Sequence, residues 1–300
     1  MLDFETLKRI DKKSMFKVYD GWAEISKNSY NSDVKIAEFR DIDHIVFVGM
    51  GGSGTLGDIF SSILSKTNIH VSIVKGYHLP KTVDKNSLVI ATSVSGNTIE
   101  TLSALKDAKK QECSTISFSS GGLLETFCKK NNLEFRKIAK NHSPRASFAS
   151  YLFSMLKILE DILPIKKNEI TNSIKELEKL NKKISSKNLT FKNPALKLAQ
   201  EISCIPLIYY PWGLQAAAIR FKNSLQENAK MHAIVEDVVE ASHNGIVAWE
   251  KKSQIFPILL QGYDDYTKTK ERWKILKTYF DNNEINYKEV SSIKGDILSK

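Results

Sequence analysis

The chain has 300 residues, with 44 Lys and Arg against 34 Asp and Glu, a formal charge of +10. Hydrophobic residues are 42% and charged residues 26%, a globular composition that excludes a disordered or collagen-like chain and allows two domains. No apolar run approaches the roughly 18 residues a membrane helix needs.

Acids at Asp3 and Glu5 and the absence of an apolar signal core in MLDFETLKRI point to a cytoplasmic protein. The three cysteines, Cys113, Cys128 and Cys204, match no metal-ligand spacing, so no metal is expected. After a helical N-terminal segment, β-branched runs at 44–49, 70–74, 87–93, 113–119 and 133–138 alternate with helical patterns near 55–66, 97–110 and 121–131. Strand, glycine turn, helix and strand in that order predict parallel βαβ units with both sheet faces covered. A buried helix from Pro144 to Leu163 closes this half, and Pro164 ends it.

Residues 164–193 hold eight Lys and three Glu, with Ile170, Ile174, Leu177, Leu180 and Ile184 at helical spacing. They predict an amphipathic linker helix with a solvated Lys face. No Arg and only one aromatic, Phe191, lie among these charges, so nucleic acid is not an expected partner. Beyond it, PLIYY (206–210), a helix over 214–231, a strand at 253–261, a helix near 264–282 and a strand at 285–290 repeat the first half. The expected fold class is α/β, with two doubly wound parallel-sheet domains at 1–163 and 194–300. Ligands of such sheets bind beyond the carboxyl ends of the strands.

Gly49-Met50-Gly51-Gly52-Ser53-Gly54 follows the first strand and matches G-x-G-x-x-G. A dinucleotide site also wants an acid after the second strand, where this chain has Lys75 and Gly76. Only a 2′-phosphate on Lys75 would keep NADP open. Four glycines in six residues exceed the needs of a turn and imply close backbone approach.

The loop Ser93-Val94-Ser95-Gly96-Asn97-Thr98 opens a helix directly after the third strand, with Asn97 and Glu100 spaced as a capping pair. Hydroxyls beside a helix N-terminus suit a phosphate dianion; a capped helix with polar turn residues reads equally well. In the second half, Arg220, Asn223 and Glu227 fall on one helix face. His243 lies in the turn-like Ser242-His243-Asn244-Gly245, and Arg145 follows Pro144 at a helix start.

VGMGGSG and TSVSGNTIET together resemble the sugar isomerase (SIS) domain family. With SPRASF (143–148), LQENAKMHA (225–233) and EASHNG (240–245), the whole chain resembles the archaeal-type bifunctional phosphoglucose/phosphomannose isomerases. That resemblance implies a cofactor-independent aldose–ketose isomerase of hexose 6-phosphates. In it, Gly52 and Ser53 line the sugar pocket, and Ser93, Ser95 and Thr98 grip the phosphate. Glu227 is the proton-shuttling base, Arg145 stabilises the enediolate, and His243 opens the ring, donated across a homodimer interface.

Family members also carry a C-terminal helical stretch with a ring-opening Lys. This chain stops at SSIKGDILSK, so neither Lys294 nor Lys300 takes that role, and residues 1–300 alone are expected to be impaired. The alternative is a phosphosugar-binding SIS protein without chemistry, which would need the hydroxyl loop but not Glu227, His243 and Arg145 together.

Overall fold

Apolar strands covered on both sides organise the chain. The computed structural model describes residues 2–300 and divides into two units, one ending at Lys187 and one spanning Asn188–Lys300.

The first unit begins with three short helices, α1 (Phe4–Ile10), α2 (Met15–Asp20) and α3 (Trp22–Tyr30). Asp3 caps α1 by accepting the Thr6 N–H at 2.7 Å. There follow β1 (His44–Val48), α4 (Gly52–Leu64), β2 (His70–Val74), β3 (Ser87–Ser93), α5 (Ile99–Lys110) and β4 (Ser114–Ser119). Next come α6 (Gly122–Lys130), β5 (Glu134–Lys137), α7 (Phe148–Ile158) and α8 (Lys167–Ile184). The five strands are parallel in the order β2-β1-β3-β4-β5.

Every residue of β1 and β3 is buried, as strands with helices on both faces require. On one face Val46, Val48, Val89 and Ala91 pack with Leu102 and Leu105 of α5 and with Leu124 of α6. On the other, the Phe47 ring stacks on Phe60 of α4 at 5.1 Å, and Thr92 meets Met155 of α7. Each fully buried Ile or Leu here contributes roughly 1.5–3 kcal/mol.

Two helices differ from the sequence reading. The closing helix expected from Pro144 starts only at Phe148, because Ser143–Ser147 forms a turn held by Ser147: its Oγ accepts the Asn141 N–H at 2.8 Å. The Lys-rich helix α8 packs against α3 and belongs to the first unit rather than standing as a linker over 164–193. Asn181 donates to the Asp20 carbonyl, and the Ser186 N–H donates to Asp20 Oδ1 at 2.9 Å. Ile170 is buried, whereas Leu180 and Ile184 at the far end of the stripe are exposed.

The second unit holds α9 (Pro194–Glu201), β6 (Ile205–Tyr210), α10 (Gln215–Ser224), β7 (Ile234–Asp237), α11 (Val238–Ala241), β8 (Ile255–Gln261), α12 (Thr267–Asn282) and β9 (Lys288–Ser291). Its parallel order, β7-β6-β8-β9, repeats the winding of the first four strands of the other unit. Leu207, Tyr209 and Leu259 face Trp273, Leu276 and Phe280 of α12, and Ile208 and Ile258 face Ala218 and Phe221 of α10. Among the described residues, no helix is long and apolar enough to cross a membrane.

Candidate functional site

β1 pairs directly with β3, Val48 opposite Ala91, yet β2 and β4 lie on their outer sides. The two strands therefore meet at the switch point of the winding, where a doubly wound sheet opens a crevice for ligands. The glycine turn leaves β1 there, and the hydroxyl loop leaves β3 beside it.

The glycine turn is folded onto its own neighbours. A Cβ on Gly49 would lie 3.0 Å from the Thr92 carbonyl, and one on Gly54 would lie 2.8 Å from the Gly49 carbonyl. Gly51 has φ +55°, a backbone setting that favours glycine. The close approach expected of this motif is thus met within the protein itself. Gly52 and Ser53 begin α4, half-buried, and no side chain caps that helix.

In the hydroxyl loop, Ser93 is buried at the end of β3, and its Oγ lies 2.9 Å from Thr98 Oγ1. The Gly96 N–H donates to the same Ser93 Oγ at 3.1 Å. Ser95 is exposed at the tip, accepting the Asn97 N–H at 3.3 Å. The expected Asn97/Glu100 capping pair does not form. Thr98 is the N-cap of α5, without a side-chain cap bond, because Asn97 Oδ1 instead accepts the Leu123 N–H at 3.0 Å. Tyr77 OH donates to Glu100 at 3.3 Å. The first turn of α5 therefore keeps N–H groups available beside three hydroxyls, an arrangement that accepts an anion.

The loop is braced by a segment that sequence reasoning missed, Ser119–Gly122. Ser120 Oγ donates to the Val94 carbonyl at 2.7 Å, and the Leu124 N–H donates to the Gly96 carbonyl at 2.8 Å. The only sequence signal was the SSGG that follows the fourth strand run.

Arg145 is half-buried in the turn before α7 rather than on a first helical turn, and Trp22 Nε1 donates to the neighbouring Ala146 carbonyl at 3.0 Å. The expected helix start at Arg145 is thus corrected to a turn that Trp22 pins.

Glu227 and His243 belong to the second unit. The helix expected over 214–231 ends at Ser224, and the chain continues as a π-helical turn, Leu225–Ala229, that carries a half-buried Glu227. Glu227 thus sits on the wider π winding that continues α10 rather than on α10 itself, four residues beyond Asn223; such turns recur at functional sites. His243 is exposed between α11 and a 3-10 turn at Gly245–Glu250, and its N–H donates to the Glu240 carbonyl at 2.9 Å.

Glu236, which the sequence reading passed over, lies one residue before the end of β7, with its carboxylate 2.7 Å from a Cβ built on Gly245. Burial, and then the charge of Glu240, push its carboxyl above the usual range. Its position near a strand end, facing the SHNG turn, was the available signal.

The cation that kept NADP open is engaged elsewhere: Lys75 Nζ lies 2.7 and 2.6 Å from the two carboxylate oxygens of Asp58. Among the described residues no cluster of three or more His, Cys, Asp or Glu is placed to hold a metal. Cys113 and Cys128 are buried thiols and Cys204 is exposed.

Residues 38–159 match the SIS domain family, and residues 191–300 match the bacterial phospho-glucose isomerase C-terminal SIS domain. A bifunctional phosphoglucose/phosphomannose isomerase from Caldicellulosiruptor bescii is 31% identical over 287 residues, covering 92% of this chain and 83% of the relative. One from Pyrobaculum calidifontis is 32% identical over 74% of this chain and 68% of the relative. A D-glucosamine-6-phosphate 4-epimerase from Sulfolobus acidocaldarius is 26% identical over 82% of this chain and 77% of the relative. The glucosamine-6-phosphate deaminase of Thermotoga maritima shares the fold at TM-score 0.71 and 14% identity, over 96% of this chain and 88% of that one. With both domain families matched in order, and relatives above 30% identity aligned over most of both chains, this chain belongs to the bifunctional phosphoglucose/phosphomannose isomerase family.

Proposed function

We propose that the protein interconverts glucose 6-phosphate or mannose 6-phosphate with fructose 6-phosphate. The observation that carries the reading is the uncapped start of α5, lined by Ser93, Ser95 and Thr98 at the switch point, in a chain of this family. Neutral hydroxyls and helix N–H groups hold a dianion without adding a fixed cation, so the product can leave. Gly52 and Ser53, at the neighbouring strand end, line the sugar.

Isomerisation opens the ring and then moves one proton between C1 and C2. His243 moves the proton between O5 and O1, a transfer for which an imidazole offers both a donor and an acceptor nitrogen. Glu227 takes the C2 proton of the open aldose and returns it to C1, passing through a cis-enediolate. The Arg145 guanidinium, fixed by its pinned turn, balances the charge that develops on the enediolate oxygens. These steps ask for no metal and no cofactor. We place the enzyme in the cytoplasm as a homodimer in which His243 comes from the neighbouring subunit. A sensor without chemistry has no use for Glu227, Arg145 and His243 together.

The test is a coupled assay on fructose 6-phosphate that reads glucose 6-phosphate and mannose 6-phosphate separately, with glucosamine 6-phosphate supplied in parallel. Formation of either hexose phosphate is the expected result. Turnover of glucosamine 6-phosphate alone would overturn the proposal in favour of epimerase chemistry.

A further inference from the structure

The second unit has a pocket of about 310 Å³ beside the carboxyl ends of β8 and β9, lined by none of the residues assigned above. One wall is α12, where Lys270, Lys274 and Lys277 stand at intervals of four and three on a single face. The opposite wall is Ser291 and Ser292, and the loop after β8 brings Gly262 and Tyr263 to the rim.

The floor is built. Trp273 is 2% exposed, and its indole Nε1 donates to Asp265 Oδ2 at 2.8 Å. The Gly262 N–H donates to that oxygen at 3.0 Å, so the one lining carboxylate is turned inward on protein donors. Burial raises the Asp265 carboxyl pKa against the lowering effect of its Trp273 and Gly262 hydrogen bonds.

The wall charge is only partly spent. Lys277 pairs with Glu289 at 3.0 Å, whereas among the described residues Lys270 and Lys274 have no carboxylate at ion-pair distance. Lys270, Lys274 and the Ser291 and Ser292 hydroxyls all line this pocket at the carboxyl end of parallel strands, a donor set suited to holding a phosphate ester by charge-assisted hydrogen bonds. Tyr263 is 54% exposed at the rim and offers a ring face to the organic part of such a ligand.

We infer that this pocket is a second phosphate-ester site, separate from the Ser93–Thr98 loop, that takes a small phosphomonoester. A hexose phosphate and a nucleoside monophosphate present the same dianion. Calorimetric titration of the whole chain with fructose 6-phosphate and with adenosine monophosphate, at about 0.15 M salt to suppress loose ion attraction, separates the two sources.

In the Ser95→Ala variant, which weakens the other loop, at least one of these ligands should still bind one per chain. Adding Lys274→Glu should weaken that remaining site tenfold or more, and Tyr263→Ala should weaken it by a smaller factor. Both positions are exposed, so circular dichroism should be unchanged. Because the assay reads binding and not turnover, it stands whether or not the isomerase reading holds. Equal titrations of Ser95→Ala with and without Lys274→Glu would overturn the inference, as would no binding of either ligand to Ser95→Ala.

Discussion

Asp58 and Lys75 form a two-oxygen ion pair that ties α4 to the end of β2, with Asp58 7% exposed inside the helix and the lysine nitrogen 2.7 and 2.6 Å from its oxygens. The pair lies against the glycine turn: a Cβ on Gly54 would come within 3.1 Å of Lys75 Cε. The same lysine cannot serve a ligand phosphate without abandoning a buried carboxylate.

Removing the cation should therefore cost stability rather than affinity for a dinucleotide. Lys75→Met leaves Asp58 buried and unpaired, and we expect a loss of about 2 kcal/mol in urea unfolding, below the loss for a fully buried pair because Lys75 is partly exposed. The double variant Asp58→Asn with Lys75→Met should recover part of it. A Lys75→Met protein as stable as the parent would show the pair to be ornamental.

Gly96 holds the hydroxyl loop against the next one. With φ at +71° and a Cβ that would lie 1.7 Å from the Gly121 carbonyl, Gly96→Ala must displace one of the two loops. Backbone strain and overpacking together should cost at least about 2 kcal/mol. A thermal melt equal to that of the parent would mean that the loops are not locked together.

The two halves of the proposed chemistry separate kinetically. Ser95→Ala should mainly raise KM, since phosphate binding is shared by ground and transition states. Glu227→Gln should lower kcat by about 10²–10⁴ and abolish exchange of the C2 proton with solvent while inhibitor binding survives. Exchange at the parental rate in Glu227→Gln would remove the carboxylate from its role.

Acid should weaken the first unit through His44. This imidazole is 4% exposed, stacks on His70 at 4.2 Å and lies 2.9 Å from Ser72 Oγ through Nε2. Burial, and then the charge of His70, hold its pKa below the ordinary value. The unfolded chain therefore binds the proton first. Stability is intact above the unfolded value of about 6.5 and is lost as pH falls through the lower folded value. Melting temperatures followed from neutral pH down to about 5 should drop less steeply for His44→Gln; parallel curves would exclude this histidine as the cause.

The strands of the first unit were legible because they are short runs closed by Gly, Ser or Lys, and the register of β1, β2 and β3 follows those runs residue for residue, whereas β7 (Ile234–Asp237) was not expected. Asn97 and Glu100 had the spacing of a cap, yet a partner 26 positions away, the Leu123 N–H, took the Asn97 oxygen. Local spacing cannot report such a competitor. Helix α9 was passed over although Asn193 and Pro194 mark its start; Asn193 Oδ1 accepts the N–H groups of Ala195 and Leu196. The site residues were legible as types and motifs, whereas the π-helical turn under Glu227 was not, because its side chains satisfy an α-helical pattern equally well.

That turn leaves the carboxylate's bearing open to a single residue of chain length. Were one residue cut from Leu225–Ala229, the segment could tighten to ordinary α-helix. Each residue step then swings later side chains by about 100°, enough to carry Glu227 from one flank of the rod to another. Where this acid aims is thus set by local coil slack as much as by the sheet beneath it.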